Sequence, residues 1–147
     1  MKTPEEITWI WNFFRKVDMF SALTISEMGE LIDSIKKIRY KKGDTIVKQG
    51  RTGDSFFIIH RGKVKAVLRK GVFKSIELGE LGAEQFFGEM ALLLDQPRSA
   101  TITALEDTDC FVLLKSEFQT LVRQNPLFSK IVHDASEQRS FEINQKT

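Results

Sequence analysis

The fold of this protein is indicated most clearly by residues 86–101, which read Phe86-Phe87-Gly88-Glu89-Met90-Ala91-Leu92-Leu93-Leu94-Asp95-Gln96-Pro97-Arg98-Ser99-Ala100-Thr101. The part from Phe87 to Leu94 lacks the period-two alternation of a strand and is rich in helix-forming residues, so it predicts a short helix. Short apolar segments separated by turn residues lie on both sides of it. We therefore expect a short helix inserted into a region of strands.

The strand region extends outward from this segment, from Ile38 to Leu114. Seven glycines divide it into short apolar runs, at Gly43, Gly50, Gly53, Gly62, Gly71, Gly79 and Gly82. Within the run at residues 64–69, the period-two spacing places Val64, Ala66 and Leu68 on one side of a strand, and Cys110 to Leu114 form a further apolar run. Short strands with frequent turn signals predict a mainly β fold, an antiparallel β-roll of jelly-roll type.

Helices are predicted before and after the roll. Thr3 suits an N-cap, Pro4 suits the first helical position, and Ser26 is expected to open a second helix. Ser116 and Gln119 have the spacing of a capping box, and Asn125-Pro126 is expected to end that helix and begin a last one that runs to about Ile143.

These patterns predict one domain in three parts. Residues 1–36 form an N-terminal helical segment, residues 37–115 form the β-roll with the segment 86–101 inside it, and residues 116–147 form two C-terminal helices. The chain has 147 residues, 41% hydrophobic and 29% charged, with a formal net charge of +2. This balance is typical of a single globular domain.

Several classes of protein are excluded by composition. No apolar run approaches the roughly 18–20 residues of a membrane span, and the acidic N-terminus does not resemble a signal peptide. Cys110 is the single cysteine, so it forms no internal disulfide and no cysteine metal cluster. We therefore expect a cytoplasmic protein without a membrane span.

Anion-binding chemistry is suggested by Gly88, Glu89 and Arg98. A short helix that begins at Gly88 exposes backbone N–H groups, and its dipole favours an anion there. Arg98 follows a tight turn and would face the same recess, where a guanidinium opposite a row of amides suits a phosphate. Glu89 offers acceptor oxygens for a sugar hydroxyl. A structural ion pair between Glu89 and Arg98 is the alternative.

The segment 86–101 resembles the phosphate-binding cassette of the cyclic nucleotide-binding domain family. That family includes catabolite-activator-type regulators, cyclic-nucleotide-dependent kinases and cyclic-nucleotide-gated channels. Residues 40–47 and 50–59 are similar to the first strands of the family, and Cys110 to Leu114 are similar to its last strand. The resemblance covers roughly residues 17–142 and implies a β-roll with a cassette helix, a hinge helix and a C-terminal lid helix.

The resemblance also implies roles for individual residues. Arg98 would pair with the cyclic phosphate, and Glu89 would accept from the ribose 2′-hydroxyl. The remaining phosphate contacts would come from the cassette, namely Gly88, the amides of Met90 and Ala91, and Ser99. The apolar wall beside the base would be formed by Ala66, Leu68 and Phe87. The last helix resembles that of bacterial cyclic-nucleotide-gated channel domains, which implies that Arg139 caps the purine; His133 and Phe141 are substitutes for that role.

The implied function is a regulatory module without catalytic activity, which binds cAMP in preference to cGMP and uses no cofactor. A threonine after the cassette arginine favours cGMP in this family, whereas Ser99 lacks the methyl group that would fix the rotamer. Ligand binding would move the C-terminal and N-terminal helices and signal to an unknown downstream protein. Because 22 residues follow Asn125 in the 147-residue chain, no DNA-binding domain is expected on it.

Two alternatives from other classes remain open. One is a ligand-free interaction or oligomerisation scaffold with a degenerate pocket, and the other is a metal-dependent cupin-type enzyme. The two histidines, His60 and His133, carry no paired metal-binding motif, which argues against the enzyme. The aromatic region from Trp9 to Phe14 either packs on the roll or forms a homodimer contact. A basic run at residues 36–42 is interpreted as a solvated face.

Overall fold

The N-terminal segment is helical, as predicted. The computed structural model describes residues 2–88 and 96–134 of the chain. Helix α1 spans Pro4–Arg15, a short 3-10 helix spans Asp18–Phe20, and α2 spans Ile25–Ser34. Thr3 caps α1 in a capping box, in which its side chain accepts from the Glu6 N–H at 3.1 Å and Glu6 accepts from the Thr3 N–H at 2.7 Å.

The expected start of the second helix at Ser26 is wrong by two residues, because the N-cap is Thr24. The Thr24 hydroxyl accepts from the Glu27 N–H at 3.1 Å, and the Glu27 carboxylate accepts from the Thr24 N–H at 2.9 Å. Ser26 is followed three residues later by Gly29, which has no side chain to return such a bond. The reciprocal pair therefore forms at Thr24.

Within the described residues, eight strands form two antiparallel four-stranded sheets, in the orders β1-β8-β3-β6 and β2-β7-β4-β5. This arrangement confirms the predicted antiparallel β-roll with flanking helices. The strands are β1 (Lys36–Tyr40), β2 (Thr45–Val47), β3 (Ser55–Arg61), β4 (Lys63–Lys70), β5 (Lys74–Gly82), β6 (Phe86–Phe87), β7 (Thr101–Ala104) and β8 (Thr108–Leu114).

One core lies between the two sheets. The alternation of β4 places Val64, Ala66 and Leu68 on one face: Val64 and Leu68 are buried, and Ala66 packs against the core cluster that contains Val64. Phe57 and Phe87 are directly paired across β3 and β6. Cys110 is fully buried in this core, and burial raises the pKa of its thiol to about 12. A thiol with that pKa is an inert packing residue at neutral pH.

A second core joins the helices to the outer face of the β3–β8 sheet. It includes Phe14 and Phe20 from the N-terminal segment, Phe56 and Phe111 from the sheet, and Phe128 from the C-terminal helices. Trp9 and Trp11 pack against this cluster, and the Trp9 ring lies 5.6 Å from that of Phe111. The aromatic region of α1 therefore packs on the roll.

The two C-terminal helices meet at Asn125. Helix α3 spans Lys115–Gln124, and the following residues 126–134 form helix α4 within the described range. The capping box expected at Ser116 is wrong, because α3 begins one residue earlier, directly after β8, with no side-chain cap. Asn125 does open α4 as predicted, since its Oδ1 accepts from the Phe128 N–H at 3.0 Å.

Candidate functional site

Arg98 is held in place by the loop between β2 and β3. Its backbone N–H donates to the Arg51 carbonyl at 2.7 Å, and its own carbonyl accepts from the Gly50 N–H at 2.9 Å. Thr52 and Pro97 form an isolated antiparallel bridge beside this pair. These backbone contacts position residue 98 independently of the interactions of its side chain.

The guanidinium of Arg98 points inward, toward the ends of β3 and β6. The side chain is buried, with 9% of the residue exposed. Its Nη2 donates to the Ser55 carbonyl at 2.9 Å, and its Nη1 donates to the Gly88 carbonyl at 3.4 Å. The guanidinium carbon also lies 5.7 Å from the centre of the Phe57 ring. The cation is thus oriented by two carbonyls and one aromatic face.

Gly88 is the residue that permits this close approach. Its φ of +84° lies in the left-handed region that favours glycine. A Cβ atom there would meet Arg98 Nη1 at 2.7 Å and the Ser55 carbonyl oxygen at 3.0 Å. The structure therefore brings Gly88 and Arg98 together, as the sequence predicted, so closely that a side chain at position 88 would have to displace the Arg98 guanidinium.

A cleft of about 660 Å³ opens beside Arg98. This volume lies within the ~300–1,000 Å³ of typical small-molecule sites. Its lining includes three cations and one carboxylate, so the local charge favours an anion. The lining consists of residues 45–48 and of Arg51, Thr52, Asp54, Phe57 and Arg98.

The other predicted site residues within the described range lie around this cleft without lining it. Phe87 is buried and stacks on Phe57, with ring centres 4.8 Å apart. Ala66 and Leu68 lie on the inner face of β4, where Ala66 pairs with Ile102 of β7. Ser99 is exposed directly after Arg98. Phe87 therefore packs against Phe57, and Phe57 is the residue of this pair that lines the cleft.

Five predicted residues lie outside the described range, namely Glu89, Met90, Ala91, Arg139 and its substitute Phe141. Sequence reasoning missed Ser55 and Phe57, which orient the Arg98 guanidinium. Ser55 contributes a backbone carbonyl, and because every residue type has one, the sequence gives no indication of this contact. Phe57 reads as an ordinary core residue of an apolar strand.

The remaining candidate residues have structural partners. His60 lies between the rings of Trp9 and Phe111, 4.8 Å and 4.9 Å away, and burial lowers the pKa of its imidazole. In the basic run, Lys37 pairs with Glu6 and Arg39 pairs with Asp109. Within the described residues, no group of three or more potential ligands could hold a metal ion, and no helix is long and apolar enough to span a bilayer.

Several solved structures resemble this chain. The cAMP-bound PfPKA-R matches with a TM-score of 0.78 at 26% identity, over 84% of this chain and 45% of that one. The regulatory domain of Toxoplasma gondii PKA with cAMP matches in fold, with a TM-score of 0.75 at 24% identity, over 94% of this chain and 51% of that one. The catabolite activator protein of Thermus thermophilus matches with a TM-score of 0.71 at 27% identity, over 87% of this chain and 60% of that one.

The chain thus spans about half the length of the first two structures. A comparison with sequence profiles of protein families matches residues 37–125, more than half of the chain, to the cyclic nucleotide-binding domain. The buried arginine, the close glycine and the cleft lie within the matched residues. This chain therefore belongs to the cyclic nucleotide-binding domain family.

Proposed function

We propose that this chain binds a cyclic nucleotide in the Arg98 cleft, prefers cAMP to cGMP, and transmits binding to its flanking helices without catalysing a reaction. The observation that carries the proposal is the buried guanidinium of Arg98 beside a positively charged cleft. Membership of the family and the cAMP named in two of the similar structures support the choice of ligand.

The chemistry of Arg98 suits a cyclic phosphate. A guanidinium presents N–H donors in a planar fork, which matches the two exocyclic oxygens of a phosphodiester. The contacts to Ser55 and Gly88 hold the fork in one orientation, so little side-chain freedom remains to be lost on binding. Burial also strengthens the attraction, because the local dielectric is lower than that of water.

The rest of the nucleotide would be held by residues that the resemblance assigns. Glu89 would accept from the ribose hydroxyl, and the amides of Met90 and Ala91 would complete the phosphate cradle. Ser99 follows Arg98 directly and is exposed, so its hydroxyl is available to the ligand. Ala66 and Leu68 would form the wall beside the base, and Arg139 would cap the purine.

A chain of aromatic contacts supports the proposed movement of the helices. Phe86, two residues before Gly88, lies 5.3 Å from Phe56, measured between ring centres. Phe56 lies 6.4 Å from Phe20, and Phe20 lies 6.2 Å from Phe128 of α4. A shift of the cassette on ligand binding would therefore reach the helices through packed rings. Ligand would favour whichever helix arrangement gives it more contacts.

Calorimetric titration of the Arg98→Ala variant with cAMP tests the ligand site. Loss of a hydrogen-bonded charged partner typically costs about 1.5–3 kcal/mol, so affinity is expected to fall roughly 10- to 150-fold. Arg61→Ala is the matched control, because Arg61 is exposed at the opposite end of β3 and its loss should leave affinity unchanged.

Thermal unfolding of Arg98→Ala separates loss of the site from loss of the fold. The same measurement is made on Arg98→Lys, which keeps a cation at this position. Unchanged affinity in a folded Arg98→Ala variant contradicts the assignment. If the parent chain itself binds neither cAMP nor cGMP, the ligand-free scaffold is the correct interpretation.

A further inference from the structure

The hairpin between β4 and β5 ends in two exposed apolar side chains. Phe73 is fully exposed and Val72 is 83% exposed. Most other phenylalanines of the described chain are packed in its two cores. An aromatic ring left wholly in water is costly, and adjacent exposed apolar residues commonly mark a contact surface.

Cations surround this pair on both strands. Arg69 and Lys70 precede the turn, and Lys74 follows it. No acidic residue occurs between Arg69 and Ile76, and Glu77 is the first carboxylate on the β5 side. The tip, defined as residues 69–74, therefore combines an apolar end with a collar of positive charge.

The base of the tip is hydrogen-bonded to the loop between β2 and β3. The Gln49 side chain donates to the Arg69 carbonyl at 2.9 Å and accepts from the Arg69 N–H at 2.7 Å. The ladder continues to the pair Lys70 and Lys74, so three residues, 71–73, form the turn. A short turn on a fixed base keeps Val72 and Phe73 projecting from the molecule.

We propose that this hairpin tip inserts into the surface of an anionic lipid bilayer. A protein partner would need a broad contact, about 800 Å² on each side for a stable complex, and a three-residue convex turn does not offer that area. A bilayer accepts a narrow apolar protrusion without a matching pocket. Anionic headgroups also complement the three cations of the collar.

The spacing along the strands matches the layers of a bilayer. In the ladder Lys70 lies opposite Lys74 and Arg69 lies opposite Ser75. Because each strand residue advances about 3.3 Å, the three cations lie roughly 3–7 Å behind the Phe73 backbone. A ring buried ~5–10 Å, at the boundary between headgroups and acyl chains, would leave these cations near the lipid phosphates. This proposal is independent of nucleotide binding, because the tip lies outside the Arg98 cleft.

Vesicle cosedimentation tests the proposal, with vesicles of phosphatidylcholine alone or mixed with phosphatidylserine. The parent chain is expected to bind the mixed vesicles and to be released by salt. Phe73→Ser should reduce binding at least about tenfold, and Lys74→Glu at least about fivefold. Ile25→Ser and Lys130→Glu are the matched controls, since both positions are exposed on helices far along the chain from the hairpin.

A site-specific fluorophore gives a second measurement. Cys110 is the single cysteine and is fully buried, so a dye sensitive to polarity would label Val72→Cys selectively. The dye should shift to the blue on mixed vesicles, and the same dye at Ile25→Cys should not. Binding by Phe73→Ser equal to that of the parent, or no binding by the parent, overturns the proposal.

Self-association that Phe73→Ser abolishes, measured by sedimentation without lipid, would identify a second copy as the occupant and would likewise overturn it. Arg98→Ala should bind vesicles like the parent, so failure of the nucleotide site and failure of the lipid site are distinguishable.

Discussion

The Asn125 side chain donates to Glu27 Oε1 at 3.0 Å, although the two residues lie 98 positions apart. The same amide nitrogen donates to the Ala22 carbonyl at 3.1 Å, while the amide oxygen accepts from the Phe128 N–H at 3.0 Å. One side chain thus joins the junction of α3 and α4 to the start of α2. The C-terminal helices and the N-terminal segment are therefore joined by side-chain hydrogen bonds at this residue.

Replacing Asn125 by alanine should lower the free energy of unfolding by about 1–3 kcal/mol, because an N-cap and two further hydrogen bonds are lost. Urea denaturation measures the change. Asn12→Ala is the control, since Asn12 is exposed on α1 and its replacement should change stability by less than about 0.5 kcal/mol. Equal effects of the two substitutions would show that the junction contributes nothing.

Gly88→Ala should weaken cAMP binding about 10- to 150-fold, because the new methyl group would displace the Arg98 guanidinium. Gly43→Ala is the control that distinguishes a steric clash with Arg98 from the backbone strain of an alanine at positive φ. Gly43 has a φ of +92° but open space around its Cβ position, so its substitution should lower stability without lowering affinity. Calorimetry and thermal unfolding of both variants provide the comparison. Parallel losses of affinity would argue against a steric effect on Arg98.

Ser99→Thr should raise the affinity for cGMP relative to cAMP by about 2- to 12-fold, the value of one neutral hydrogen bond of ~0.5–1.5 kcal/mol. The added methyl group restricts the rotamer of the hydroxyl, which can then bond the guanine amino group. Competition binding with both nucleotides measures the ratio. The exposed Ser26→Thr serves as the control. A ratio that moves toward cAMP contradicts the proposed role of residue 99.

Acid should destabilise the protein partly through Glu6. The Lys37 ammonium, 2.8 Å from the Glu6 carboxylate, and then the Thr3 N–H lower the pKa of Glu6 from 4.5 to about 2. A carboxylate whose pKa is depressed on folding stabilises the native state above its unfolded pKa, and that stability is lost as pH falls toward 2. The free energy of unfolding should therefore decline between about pH 5 and pH 2.

Glu6→Gln should flatten that decline, whereas Glu5→Gln, at an exposed neighbour, should leave it unchanged. Urea denaturation at a series of pH values makes the comparison. An unaltered slope in Glu6→Gln would mean that the Lys37 pair does not contribute to acid stability.

Local features of this structure were predictable from the sequence. Thr3 with Glu6 forms its capping box within four residues, Asn125 opens the last helix, and the alternation of Val64, Ala66 and Leu68 matches their inward face. The segment 86–101 was sufficient to indicate the family. These features depend on neighbours in the chain, so residue type and spacing carry them directly.

Other features depended on the tertiary structure. Ser55 orients Arg98 from 43 positions away through a backbone carbonyl, and Glu27 meets Asn125 across the molecule. The start of α3 at Lys115 is set by the end of β8 rather than by the side chain of Ser116. The sequence by itself determined which residues carry the charge and the backbone freedom for the proposed phosphate site. The orientation of the Arg98 guanidinium was decided only by the tertiary structure. Its partners come from distant strands and loops, and contacts between distant segments leave no regular spacing in the sequence from which they could be predicted.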